Sequence, residues 1–93
     1  MDQDNMEPEL EVLDQLLGGD MPVDIIVGLF PDLDRCRRSI GIMLRDGEIE
    51  LRDQESSLVP LAHYLKLQYL PEFWARGTPY RFGITELGAT RVS

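Results

Sequence analysis

RCRRSIGIMLRDGEIEL, running from Arg35 to Leu51, changes its hydrophobic period at one place, Asp46-Gly47. Before that dipeptide Cys36, Ile40, Met43 and Leu44, with Leu33 just upstream, recur at helical spacing. After it Ile49 and Leu51 alternate with Glu48, Glu50 and Arg52, the period of a half-buried strand. A helix, a sharp turn and a strand are therefore expected. Asp32 is placed to cap the helix, because a carboxylate there accepts from the first free backbone N–H groups. Arg35, Arg37, Arg38, Ser39 and Arg45 fall largely outside the apolar stripe, which predicts a basic outward surface. The strand's expected partner is Pro79 to Ile84.

Upstream, residues 1 to 7 read as an acidic, flexible tail, and residues 8 to 93 as a single domain, since 93 residues are too few for two independent cores. A first helix is predicted from Pro8, with Leu10, Leu13 and Leu17 at helical spacing and Val12 and Leu16 widening the stripe, until Gly18-Gly19 stops it. Asp20 reads as the cap of a second short helix with Pro22 in its first turn and Ile25, Ile26, Leu29 and Phe30 on its apolar face; Pro31 ends it. The junction from Phe30 to Leu33 is short enough for two helices joined by a tight turn.

Some 25 residues, Gln54 to Thr78, separate the two expected strands, and a structureless loop of that length is unusual in a small domain. SSLVPLAHYLKLQYLPEFWARG reads instead as an inserted helix opening near Ser57, with Pro60 in its first turn and Leu58, Leu61, Ala62, Leu65 and Tyr69 facing inward. Pro71 breaks or kinks it, and Phe73 and Trp74 follow in an apolar tail ending at Gly77. Tyr64, Tyr69, Phe73 and Trp74 lie within eleven residues; they form either a binding patch for a second copy or a partner protein, or the core of a domain short of large side chains.

The helix ending LRDG, the strand EIELRD and the returning YRFGITELG resemble winged helix-turn-helix transcriptional regulators of the multiple-antibiotic-resistance and phenolic-acid-regulator types. The resemblance covers about residues 8 to 53 and 79 to 93. It implies an α+β fold: three N-terminal helices, then a two-stranded wing, here with a helical insertion between its strands. It also implies that Ile84-Thr85-Glu86-Leu87-Gly88 leads into a last helix capped by Thr85. Many of these regulators dimerise through a long C-terminal helix; the sequence stops at Ser93 before one, so any dimer is expected to use another surface. Double-stranded DNA is the partner the resemblance suggests, with the third helix, about 33 to 45, in the major groove. Arg37, Arg38 and Ser39 would then lie near base edges, Arg35 or Arg45 near phosphates, and Arg76 and Arg81 on the backbone from the wing.

Charge pulls both ways. The net charge is −8, yet residues 1 to 34 hold ten acids and no Lys or Arg, whereas residues 35 to 93 hold seven acids and nine bases. Eight of those nine are Arg, the better phosphate and guanine ligand. Four or five phosphate contacts would give weak binding with a log-log salt slope of about −4. Alternatively the arginines form a solvated face, paired with Asp34, Asp32 or Glu48. A second function class follows from the same features: a winged helix that binds a protein partner through its acidic first helices or the aromatic 58–76 insertion. High acidity with one Lys also suits a high-salt habitat.

Catalysis is not expected. His63 is the only histidine and has no second ligand at metal spacing; Cys36, the only cysteine, falls on an apolar stripe. Glu48 and Glu50 share a strand face without a cleft or a phosphate loop, and Gly18-Gly19 lacks the Lys-Ser or Lys-Thr of one. No cofactor or metal is expected. No apolar run approaches the roughly 20 residues of a membrane helix, and the acidic start is unlike a secretory leader, so a cytoplasmic location is expected.

Overall fold

Helix caps, glycines and prolines set where each element starts and stops. A computed structural model describes residues 7–92; the tail expected over residues 1–7, apart from Glu7, lies outside the described residues, as does Ser93. The order is α1 (Pro8–Leu16), β1 (Met21–Pro22), α2 (Val23–Val27), α3 (Leu33–Arg45), β2 (Ile49–Arg52), β3 (Leu58–Val59), α4 (Leu61–Leu67), α5 (Pro71–Trp74), β4 (Arg81–Ile84) and α6 (Glu86–Val92). The domain is α+β, with an antiparallel sheet in the order β1-β4-β2-β3.

α1 begins with Pro8 in its first turn, where the missing N–H costs nothing, and carries Glu9 and Glu11 near its positive end. Its buried face is Val12, Leu13 and Leu16; Leu17, expected inward, is the C-cap residue and is exposed. Asp20 does not cap α2 as expected. Met21 and Pro22 instead pair with Phe82 and Arg81 of β4, an edge position that tolerates a proline, and α2 starts behind Pro22. The Asp20 carboxylate lies over the sheet, where a Cβ on Gly83 would come 2.7 Å from its Oδ1.

α3 forms as its caps predict. Asp32 Oδ1 accepts from the Arg35 N–H at 2.7 Å, and the helix ends at Asp46 before Gly47, which takes a φ of 77°. Two strands expected to pair do so, with Ile49 opposite Ile84 and Leu51 opposite Phe82. Thr85 Oγ1 accepts from Gly88 N–H at 3.1 Å, the expected cap of α6. Gly88 is required there, because a Cβ would sit 2.1 Å from the Glu48 carbonyl oxygen.

The insertion departs from expectation in phase. Leu58–Val59 is a strand paired with Leu51 and Arg52, so α4 opens only at Leu61, behind Pro60. Tyr64 and Leu67 face inward, whereas Leu58, Ala62, Leu65 and Tyr69 face out. Ring packing decides this rotation: Tyr64, Phe73 and Trp74 stack edge-on, with centroids 5.9 Å (Tyr64–Phe73), 6.3 Å (Tyr64–Trp74) and 4.8 Å (Phe73–Trp74) apart. Burying rings removes more apolar area from water than burying Ala62 and Leu65 would. Pro71 opens the one-turn α5 rather than only ending α4. α4 packs against α3, and α5 against α2.

Candidate functional site

The α3 helix has four sides, because each residue advances 100° around its axis. Cys36, Ile40 and Met43 face the core. Arg35 and Ser39 turn toward α1, Arg37 and Gly41 toward α4, and Asp34, Arg38, Ile42 and Arg45 outward.

On the α1 side, Glu9 gathers Arg35 and Ser39. Its two carboxylate oxygens accept from Arg35 Nη2 at 3.1 and 3.0 Å, and Arg35 Nε reaches the second at 3.3 Å. The Ser39 hydroxyl donates to the same oxygen, and Ser39 is only 6% exposed. Burial alone would raise the Glu9 carboxyl; hydrogen bonds from Ser39, its own backbone N–H and Arg35, with the Arg35 charge, hold it below the ordinary glutamate value. Arg35 and Ser39 are thus tied to the acidic first helix and do not share a face with Arg38. Glu48, nearly buried, pairs with Arg91 in the same cleft, and that hydrogen bond raises the Arg91 guanidinium.

On the α4 side, the helix end holds Arg37. Gln68 is the C-cap of α4, and its carbonyl lacks an intrahelical donor. Arg37 Nε supplies one at 2.8 Å and the Trp74 indole N–H another at 2.9 Å. Arg37 Nη1 also bonds Asp34 at 3.1 Å, and the guanidinium lies 5.5 Å from the Tyr69 ring centre. The Tyr64 hydroxyl donates to the Arg37 carbonyl at 3.0 Å. With a side chain 25% exposed, Arg37 works as a clasp between α3 and α4.

The outward ridge is different. Among the described residues Arg38 contacts only the Asp34 carbonyl, at 3.4 Å, and Arg45 only Asp46, at 3.3 Å. Between them Ile42 is 49% exposed. A groove of about 460 Å³ runs between α3 and α4, lined by Gly41, Ile42, Leu61, Leu65 and Tyr69 together with Gln68 and Arg37, Arg38 and Arg45. Leu65 and Tyr69 are 48% and 67% exposed.

The remaining expected residues lie elsewhere. Arg81 bonds the Ser56 hydroxyl at 3.1 Å at the turn between β2 and β3, beside Arg52 on the neighbouring strand. Arg76 is exposed at an apolar cleft of about 350 Å³ next to Phe73 and Tyr80. Tyr64, Phe73 and Trp74 are buried, so of the four aromatic candidates Tyr69 alone reaches the surface. Cys36 is buried, its thiol pushed up to about 12 by burial against the opposing charge of Arg37. No group of three or more metal-ligating side chains occurs among the described residues, and no helix among them is long and apolar enough to cross a membrane.

Sequence reading missed Gly41, Ile42 and Leu65 as a shared surface. Ile42 carried a signal: it is four residues after Arg38 and three before Arg45, on the polar side of the wheel. The chain matches no protein-family model, no curated protein and no solved structure.

Proposed function

We propose that this chain is a winged-helix-type domain whose third helix serves protein contact, docking an amphipathic helix of a partner in the α3–α4 groove. Support for the winged-helix part comes from the element order helix, strand, helix, helix, strand and returning strand, with β4 between β1 and β2 in the sheet. β2 and β4 correspond to the wing, and β3, α4 and α5 are the insertion between them.

One observation carries the docking part: α4 lies against α3 and leaves Ile42, Leu65 and Tyr69 exposed along their seam. A helix with its side chains is about 10–12 Å across and nearly fills a major groove about 12 Å wide. Packed helices lie about 8–10 Å apart, so α3 would carry α4 into the groove wall. Two of its arginines, Arg35 and Arg37, are also engaged with Glu9, Asp34 and the Gln68 carbonyl. What remains on the ridge is apolar as much as basic.

Two titrations of the full chain test this. A labelled leucine/glutamine amphipathic helical peptide is expected to bind, and Leu65→Glu to abolish binding while the circular dichroism spectrum stays unchanged. Labelled duplex DNA at about 50 and 200 mM salt is expected not to bind. DNA binding at the lower salt that weakens in Arg38→Ala/Arg45→Ala would overturn the reading in favour of a groove-reading helix.

A further inference from the structure

Resting on that docking reading, we infer that the partner helix is acidic, with carboxylates seven residues apart bracketing the leucines that enter the groove. The backbone of the occupant decides that it is a helix. The α3 wall of the groove is helical backbone whose carbonyls are taken, that of Ile42 by the Asp46 N–H, and the Gln68 carbonyl at the groove's end already accepts from Arg37 and Trp74. An extended segment would find no backbone partners there, whereas a helix brings its own.

Gly41 points to how closely that helix approaches. A Cβ at this position would meet only the Tyr64 ring at 3.7 Å, an ordinary contact, so the fold itself does not demand glycine. Glycine inside a helix is destabilising relative to alanine. What it leaves is a notch in the α3 wall of the groove, beside Ile42, in a groove that Leu61 and Leu65 also line.

Charge then selects the partner. Arg38 and Arg45 are seven residues, or about 10.5 Å, apart along the ridge, the spacing of positions i and i+7 on a helix lying alongside. Their present contacts are weak: Arg38 has a long bond to a carbonyl of its own helix, and the Arg45–Asp46 pair is exposed, where ion pairs contribute little. Asp34, on the same ridge one turn before Arg38, and Asp46, just after Arg45, repel carboxylates placed beyond that span. The chain's overall charge of −8 opposes any acidic partner at long range, but salt at about 0.15 M screens this beyond about 8 Å and spares direct contacts.

The test uses the full chain and three labelled helical peptides of about 18 residues, long enough to be helical. They share their leucines and differ only at positions i and i+7, which carry Glu, Gln or Lys. Fluorescence polarisation is expected to rank Glu over Gln over Lys, with about tenfold between the first two, and Arg38→Glu/Arg45→Glu to invert the order. Equal binding of the Glu and Gln peptides, both lost in Leu65→Glu, would sink the acidic preference and leave docking standing. Tightest binding by the Lys peptide overturns it also. If no peptide binds, the docking reading fails with it.

Discussion

The two flanks of α3 hold arginines by opposite means. On the α1 side Arg35 meets a carboxylate, Glu9, that also takes the Ser39 hydroxyl, so charge and hydrogen-bonding capacity are spent inside one closed network. On the α4 side Arg37 meets a helix-end carbonyl and an aromatic face, which hold its planar fork but leave its charge only partly balanced by the exposed Asp34. The first flank fastens the acidic third of the chain to the basic helix. The second fastens the insertion. Neither arginine is available to a ligand in the way a run of basic residues suggests, and the ridge between the two flanks is left to Arg38, Ile42 and Arg45.

Breaking the α4 flank has the largest expected effect. Tyr64 is fully buried, packs edge-on against Phe73 and Trp74, and bonds the Arg37 carbonyl. Tyr64→Ala is expected to cost about 3–5 kcal/mol in urea unfolding, a large share of a small domain's stability. Tyr64→Phe keeps the ring and is expected to cost about 1 kcal/mol. Equal losses in the two variants would mean that the hydroxyl, not the ring cluster, holds α4 to α3.

The α1 flank is weaker and pH-dependent. Glu9→Gln removes the charge shared by Arg35 and Ser39, and a loss of about 1–2 kcal/mol at pH 7 is expected after discounting for its partial exposure. Because the folded carboxyl is held below its unfolded value, its contribution is fully present above the unfolded value and is lost as pH falls through the folded one. The stability gap between wild type and Glu9→Gln should therefore shrink below about pH 4.5. A gap that is constant from pH 7 to pH 3 would show that Glu9 acts by shape alone.

The sequence carried these flanks unequally. Asp32, Gly47 and Thr85 act through neighbours a few residues away, and their caps and turn were legible as local chemistry. The pairing of β2 with β4 was legible because alternating Ile49 and Leu51 needed a second strand, and Phe82 and Ile84 supplied it. Glu9 lies 26 residues from Arg35, and no local pattern says which of ten acids will reach which arginine. The phase of α4 is not legible locally, because Leu61, Tyr64, Leu65 and Tyr69 offer two apolar stripes at helical spacing. Only the packing of Phe73 and Trp74, brought back by α5, chooses between them. The exposed stripe, and with it the groove, is the residue of that choice.

Smallest in stability, and sharpest for the ridge, is Gly41→Ala. The added methyl meets the Tyr64 ring at an ordinary 3.7 Å and removes a glycine from the middle of α3, so stability should rise by about 0.5–1 kcal/mol. The same methyl narrows the notch into which a partner's leucine would fit. A domain shaped for its own stability alone gains from this substitution at no cost, whereas a docking groove gains stability and loses peptide affinity together. Thermal unfolding and peptide titration on one sample separate the two. A rise in midpoint with unchanged affinity would remove Gly41 from the contact surface and place the occupant higher on the ridge, over Ile42 and Tyr69.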